Sequence, residues 1–333
     1  MAFKDLPTFY YHTHFSEFLD FVRGPCAGLL NEEHREFLNA YARLTHSQQC
    51  LLIRLINRKY PVIKTSTLEF AELPNLTDDL DVLFSAQMVK APESQHAPHL
   101  LSVLTKPELA QLYLECGSIN APPIRKSANK ARYIEACSSL NSADIAASKV
   151  CSAYLVRSID DYIDYFLFLY FGHGKGTLNQ FSMRDLGIMK TRDDQAQMQS
   201  RFVDYDSAYS CFCLLRCYEE VKLRVFEDAD QVQQYVAKLP QPVGSQATEG
   251  YSRVLYSLAK KMLSFDPSAA VKMIEHVDDP LVLEFWCRQA YKLDLKDAVE
   301  HKLNQIIDDP LSDRLLNFAE DFLSRKYLKK RSR

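Results

Sequence analysis

Apolar residues recur with helical spacing along most of the chain. In the segment 45–60, Leu51 and Leu55 fall on one arc of a helix wound at about 100° per residue, whereas Arg54 and Arg58 fall on the adjacent arc. The pattern predicts an amphipathic helix that ends before Pro61. One face of this helix belongs to a core and the other face is basic.

Two helix starts carry the sequence of a capping box, in which the side chains of the first and fourth residues satisfy free backbone amides. The first box is Thr45 with Gln48, and the second is Thr105 with Glu108. In the second box, Pro107 stands in the first turn, where its missing N–H costs nothing. Both sequences therefore predict that a helix begins at these positions.

The segment 31–103 reads as several helices followed by short strands. Short helices are predicted over Thr65 to Leu73 and Leu80 to Phe84. Ala86 to Lys90 is expected to pair with Leu100 to Leu104 as a two-stranded wing. Helices followed by a wing indicate a winged-helix-like DNA-binding domain, preceded by an N-terminal helical extension over residues 1–30.

A second small module is predicted over residues 104–149. A helix from Thr105 to Glu115 is followed by a break at Pro122 and Pro123, and then by a helix from Asn129 to Cys137. Two short helices around such a break are typical of units that bind the backbone of duplex DNA.

From residue 150 the pattern changes to longer amphipathic helices, predicted over Val150 to Phe171, Asp206 to Asp228 and Thr248 to Ser264. The string Asp-Asp-Pro-Leu at 278–281 recurs at 308–311, an offset of 30 residues. A period of this size favours stacked helical hairpins of the tetratricopeptide type, in which Asp caps a helix and Pro lies in its first turn. The predicted helical domain covers residues 150–333.

Composition supports a mainly α fold, since only 9 of the 333 residues are glycine. The longest apolar run has seven residues, Tyr165 to Phe171, whereas a membrane span needs about 20. The N-terminus lacks the features of a secretory signal, so we expect a cytoplasmic protein without a membrane partner. In that reducing compartment, the nine cysteines are expected to be free thiols.

The net charge of -3 gives no overall attraction for nucleic acid, but two segments are locally basic. Residues 37–68, the first basic window, and residues 116–134, the second basic window, contain no Asp or Glu. Locally uncompensated cations are what a phosphate-binding surface needs. The predicted DNA contacts are Arg54, Arg58, Lys59, Lys64, Arg125, Lys126, Lys130 and Arg132.

An alternative interpretation is that these cations form solvated faces whose charge is balanced in space. The acids that stand nearest to them in the sequence are Glu32, Glu33, Glu69 and Asp79.

Catalytic and metal-binding motifs are weak. Glu220-Val221-Lys222, with Asp206 upstream, resembles part of a metal-dependent nuclease centre, but helical periodicity runs straight through it. Cys211, Cys213 and Cys217 lack the partners of a metal site and are read as core thiols. The string Gly172 to Thr177 is incomplete as a phosphate loop and is read as a helix-ending turn.

Several strings along the chain resemble sequences of the Fanconi-associated nuclease family. They are Tyr10-Tyr11 followed by Phe15, Phe18 and Leu19, the segment 44–59, Leu104 to Leu109, Phe168 to Gly172, Phe181 and Asp185-Leu186-Gly187. The resemblance covers nearly the whole chain. It implies winged-helix and SAP-like N-terminal modules, the latter over 104–149, followed by a tetratricopeptide-like helical repeat region. It also implies DNA repair, including repair of interstrand crosslinks, by cutting branched DNA near 5' flaps.

The family's catalytic carboxylates lie in a C-terminal VRR-NUC nuclease domain, which this chain is expected to lack. No catalytic residue is carried over, and no cofactor is expected in this chain, since Mg²⁺ or Mn²⁺ would bind only with the nuclease domain. The predicted partners are branched or flapped duplex DNA and a nuclease domain or subunit. If the source is bacterial, the protein is expected at the nucleoid.

Three functions remain open. The preferred one is the DNA-binding and scaffold portion of a structure-specific nuclease. The second is a helical-repeat adaptor that binds only proteins. The third is an enzyme that uses Asp206, Glu220 and Lys222 within the helical region.

Overall fold

The computed structural model describes residues 7–117, 123–174, 176–181 and 200–328. Lys175 and the Asp185-Leu186-Gly187 block lie outside the described residues. The chain divides into two compact units, Met1–Ser200 (unit 1) and Arg201–Arg333 (unit 2). This division falls at residue 200, whereas the helical domain was predicted to begin at 150.

Helices make up most of unit 1, as its composition predicts. The α-helices of its described residues are α1 (Tyr10–Arg23), α2 (Glu32–Arg43), α3 (His46–Ile56), α4 (Leu76–Ser85), α5 (Ala97–Val103), α6 (Lys106–Cys116), α7 (Lys130–Ser138), α8 (Ser142–Ala147) and α9 (Asp160–Phe171). The predicted helix over Thr65 to Leu73 is wrong, because only a 3-10 turn forms at Thr65–Thr67.

Both predicted capping boxes are present. The Thr45 side chain accepts a hydrogen bond from the amide of Gln48, whose side chain accepts one from the amide of Thr45. Thr105 and Glu108 make the same pair of bonds at the start of α6. Asn129 caps α7 by accepting from the amide of Arg132. These helix starts follow from residues close in sequence, which is why the sequence could predict them.

A three-stranded antiparallel sheet joins distant parts of unit 1. Its strands are β1 (Val62–Lys64), β2 (Val89–Lys90) and β3 (Tyr154–Arg157), in the order β1-β3-β2. The predicted pairing of Ala86 to Lys90 with Leu100 to Leu104 is therefore wrong, because most of that second segment is the helix α5. The predicted helix from Val150 is also wrong in its first part, since β3 occupies residues 154–157.

The segment 104–149, for which the sequence predicts a SAP-like module, is thus inserted between β2 and β3. Helix α5, which precedes this segment, shares a core with the segment's helices α6 to α8. The core includes Leu100, Leu109 and Tyr133, together with Val62 of β1 and Val156 of β3. The insertion and the sheet consequently belong to one folded body.

The N-terminal extension is part of the same unit. Helix α1 packs against α3 and α9, and it buries Phe15 and Phe18 completely. The Tyr165 hydroxyl of α9 donates a 2.8 Å hydrogen bond to the Leu29 carbonyl. Helix α9 ends at Gly172, whose positive φ of 74° closes the helix as predicted for this turn.

Unit 2 is a succession of helices, most of which pack on a neighbour in sequence. Its described α-helices are α10 (Tyr205–Leu223), α11 (Ala229–Ala237), α12 (Ser245–Met262), α13 (Pro267–Met273), α14 (Pro280–Lys292), α15 (Lys296–Asp308) and α16 (Asp313–Leu323). Their core contains Trp286, which is 4% exposed, together with Leu283 and Leu303.

The two Asp-Asp-Pro-Leu strings are not structurally equivalent. Asp279 caps α14 by accepting from the amides of Leu281 and Val282, and Pro280 begins that helix, as predicted. In the second copy, Asp308 is the last residue of α15, and Ser312 caps α16. The predicted identity of the two helix starts is wrong, because the local hydrogen bonds of Ser312 move the second start by three residues. Among the described helices of both units, none has the length and apolar character to cross a membrane.

Candidate nucleic-acid interface

Arg54, on the basic face of α3, is held by neighbours. It forms an ion pair with Glu72, and its guanidinium lies 4.1 Å from the centre of the Tyr11 ring. The Tyr11 hydroxyl donates to the same carboxylate at 3.1 Å. Burial opposes ionisation of Glu72, but hydrogen bonds led by the one from Arg54 hold the pKa of Glu72 below its usual range. The Arg54 side chain is 31% exposed and links α1 to α3.

Arg58 and Lys59 follow the end of α3 and are both exposed. The Arg58 guanidinium makes a long 3.5 Å hydrogen bond to the Thr67 carbonyl. The Lys59 ammonium lies 5.1 Å from the centre of the Tyr60 ring. Within the described residues, neither cation has an ion pair with an acid. Both charges are therefore available to solvent or to a phosphate.

Arg157 fixes the backbone from which these two cations project. Its Nη1 donates to the carbonyls of Leu55, Ile56 and Arg58 at 2.6, 2.7 and 3.0 Å. Carbonyls at the end of a helix have no partner within the helix, so an arginine there stabilises the terminus. This buried cation was not among the sequence candidates. Its only sequence signal is an arginine that ends the apolar run 154–156.

Lys64 joins the sheet to the inserted module. Its ammonium lies 2.6 Å from Glu108, which also accepts a 3.0 Å hydrogen bond from the Tyr154 hydroxyl. Burial opposes ionisation of Glu108, but hydrogen bonds from Lys64, Thr105 and Tyr154 lower its pKa to about 2. The ion pair joins β1, in the first basic window, to α6, the helix that leads to the second basic window.

Arg125 and Lys126 form an exposed turn of the second basic window. The Tyr133 hydroxyl donates to the Arg125 carbonyl at 3.5 Å, and the Lys106 ammonium donates to the Lys126 carbonyl at 2.9 Å. Their backbone is held in this way while their side chains extend into solvent. No acid within the described residues pairs with either cation.

The remaining two cations of this window are more constrained. The Lys130 ammonium donates to the Ser102 carbonyl at 2.9 Å. Arg132 lies 2.7 Å from Glu135, and both side chains are mostly exposed. Arg125 and Arg132 line one groove of about 510 Å³, with Tyr113 on its wall.

The eight predicted contacts thus fall into two groups. The first group consists of cations with a partner, which are Arg54, Lys64, Arg132 and Lys130. Lys130 is held by a carbonyl, and the acidic partners of the other three are Glu72, Glu108 and Glu135. None of these acids is among those that the balanced-charge alternative named. The cations of the second group are exposed and have no acidic partner within the described residues. They are Arg58, Lys59, Arg125 and Lys126, and we call them the open cations.

The nuclease-like string in unit 2 lies inside α10, as its helical periodicity predicts. Glu220 accepts from Arg224 at 2.8 Å and from the Tyr235 hydroxyl at 3.0 Å, whereas Lys222 pairs with Glu219 at 3.0 Å. Glu220 and Lys222 therefore have separate partners. In the part of the chain that the structure describes, no group of three or more His, Cys, Asp or Glu side chains is arranged to hold a metal ion.

Comparison with known proteins locates the helix-turn-helix. Residues 9–90 match the family model described as FAN1, HTH domain. A curated relative, the Fanconi-associated nuclease 1 homolog of Pseudomonas aeruginosa, is 27% identical over 197 residues, which cover 58% of this chain and 34% of the relative. The chain is therefore similar to a Fanconi-associated nuclease over part of its length. It spans about a third of the length of this curated relative.

Two solved structures have a similar fold. The chain is similar to paFAN1 bound to 2nt 5'flap DNA with gap, with a TM-score of 0.81 and 20% identity over 98% of this chain and 60% of that chain. A second structure, paFAN1 bound to 1nt 5'flap DNA with gap, has a TM-score of 0.80 and 20% identity over 97% of this chain and 59% of that one. The likeness confirms a mainly helical fold, with helical N-terminal modules followed by helical repeats.

Proposed function

We propose that this chain is the DNA-binding and scaffold portion of a structure-specific nuclease that acts on 5' flap DNA. The observation that carries the proposal is the set of four open cations. Their backbone is fixed by hydrogen bonds from Arg157, Lys106 and Tyr133. The solved paFAN1 structures contain 5' flap DNA, which supports the choice of substrate.

The open cations bind phosphates rather than bases in this proposal. Cations that neutralise phosphates release the counterions condensed on DNA, so binding depends strongly on salt and little on sequence. Arg125 and Lys126 belong to the SAP-like module, which is assigned here the same backbone-binding role. The charges of Arg54, Lys64 and Arg132 are balanced by acidic partners, and Lys130 is held by a carbonyl, so these four contribute less to phosphate binding than the open cations.

Cleavage of the DNA is assigned to a nuclease domain or subunit of the VRR-NUC type, which would also bind the Mg²⁺ or Mn²⁺. Unit 2, with tetratricopeptide-like packing, serves as the scaffold for that domain. The expected setting is repair of branched DNA, including interstrand crosslinks, in the cytoplasm or at the bacterial nucleoid.

Binding to a labelled 5' flap substrate, followed by fluorescence anisotropy, tests this function. We expect the full chain to bind, and the variant in which all four open cations are replaced by Ala to bind at least about tenfold more weakly. A matched variant with Arg253, Lys260, Lys272 and Lys292 of unit 2 replaced by Ala should retain its affinity. Absence of binding by the wild-type chain would reject the proposal.

A specific observation favours a second function, that of a protein-binding helical adaptor. Leu223 and Val225, beside the end of α10, are 86% and 83% exposed. Apolar side chains so exposed occur at protein interaction sites. If the chain is only an adaptor, it should not bind flap DNA at physiological salt. The same anisotropy measurement distinguishes the two functions.

A further inference from the structure

Helix α4 has the place that winged-helix proteins give to the helix that enters the DNA groove. It packs on α3 and leads into strand β2. Its charge, however, is opposite to that of a DNA-reading helix: between Thr65 and Met88 there are five acidic residues and no Lys or Arg. Carboxylates repel phosphates, so this helix is unsuited to a groove.

Two of the five acids have structural partners. Glu72 pairs with Arg54, and Asp79 is buried and accepts a hydrogen bond from the Ser47 hydroxyl of α3. Glu69 is exposed but precedes α4. The remaining two, Asp78 and Asp81, are exposed on the helix, and no ion pair holds either of them within the described residues. Their negative charge is therefore presented to the surroundings of the helix.

Apolar side chains flank these two carboxylates. On a helical projection, the outward arc of α4 spans about 160°. In order, it carries Phe84, Thr77, Asp81, Ser85, Asp78 and Val82. Val82 and Phe84, at the two edges, are each 38% exposed. The arc thus combines an acidic centre with apolar edges, a combination that fits a protein segment better than a nucleic acid.

We propose that the outward arc of α4 is a docking surface for a lysine- or arginine-rich segment of a partner protein that carries apolar residues beside its cations. Charge complementarity identifies this occupant: cations pair with Asp78 and Asp81, and apolar groups cover Val82 and Phe84. The same arc of a second copy is excluded as a face-to-face occupant, because it would place like charges against each other. One face of the winged helix then binds protein, while the open cations bind DNA.

The test uses the full chain and a fluorescein-labelled amphipathic helical peptide of about 14 residues, built from Lys and Leu. We expect saturable binding by anisotropy. The variants Asp78→Asn/Asp81→Asn and Val82→Ser/Phe84→Ser should each weaken it at least about fivefold. The matched variant Glu275→Gln/Glu320→Gln, which removes two exposed carboxylates of unit 2, should bind as the wild type does. A peptide with Glu in place of Lys should not bind.

A parallel titration with 5' flap DNA separates this surface from the DNA interface. Val82→Ser/Phe84→Ser should keep its DNA affinity within about twofold, and Arg58→Ala/Lys59→Ala should keep its peptide affinity. The proposal is overturned if the wild-type chain does not bind the peptide, or if both α4 variants bind it like the wild type. Loss of DNA binding in Val82→Ser/Phe84→Ser, with an unchanged thermal midpoint, would also overturn it, because α4 would then contact DNA.

Discussion

Arg157 donates a 2.6 Å hydrogen bond from Nη1 to the carbonyl of Leu55. This bond joins strand β3 to the last turn of α3. The same nitrogen reaches the carbonyl of Arg58, one of the open cations, at 3.0 Å. Its Nη2 donates to Asp160 at the start of α9. A single buried side chain therefore connects strand β3 and the start of α9 to the backbone that presents Arg58 and Lys59.

Replacing Arg157 with Ala should lower the free energy of unfolding by about 3 kcal/mol, because three carbonyls and Asp160 lose a buried charged donor. Urea unfolding measures the change. Arg132→Ala, at an exposed pair, is the control and should cost less than about 1 kcal/mol. Equal stability of the two variants would show that the Arg157 hydrogen bonds contribute little.

Glu108→Gln should destabilise the fold at neutral pH but not in acid. The pKa of Glu108 is about 2 in the fold, below its ordinary value of 4.5, so its ionisation stabilises the fold above pH 4.5 and this contribution is lost as the pH falls toward 2. The difference is at most about 3 kcal/mol at pH 7. Urea unfolding of both proteins from pH 7 to pH 3 should show the gap closing. A gap that is constant with pH would contradict the assigned pKa.

His34 should make the fold less stable in mild acid. Burial, with a smaller effect of Arg35, lowers its pKa to about 4, from an ordinary 6.5. The unfolded chain therefore takes up a proton first, and the contribution of neutral His34, at most about 3 kcal/mol, is lost as the pH falls from 6.5 to 4. His34→Gln removes this titration, so its unfolding free energy should vary less over that range. NMR titration of the His34 ring with a midpoint near 6.5 would refute the explanation.

Trp286 should report the integrity of unit 2. It is the only tryptophan, and its ring is buried in the helical core. Trp286→Ala should cost about 3 to 5 kcal/mol, because large core truncations leave a cavity. In the wild-type protein the fluorescence maximum should be blue-shifted and move to longer wavelength on unfolding. A maximum at the position of free tryptophan before unfolding would mean that the ring is not in the core.

Local interactions were readable from the sequence, and distant ones were not. Thr45, Thr105 and Asn129 begin helices through bonds to residues three positions away, so their sequence patterns predicted them. The partner of β2 is β3, more than 60 residues later, and no local pattern specifies that pairing. The failure of the predicted wing follows from this distance.

The same distinction applies to the candidate interface. The two acid-free windows predicted where cations cluster, but which cations are open depends on acids brought close by folding. Glu72 and Glu108 lie 18 and 44 residues from the cations that they pair with. Arg157 lies 99 residues from the Arg58 carbonyl that it holds.

The salt dependence of binding to 5' flap DNA tests the central claim most directly. The slope of log affinity against log salt measures the number of phosphates neutralised, about 0.9 per contact. If the four open cations contact phosphates, replacing Arg58, Lys59, Arg125 and Lys126 with Ala should flatten the slope by roughly 3 to 4. A slope and an affinity that match those of the wild-type chain would contradict the assignment of this surface to DNA.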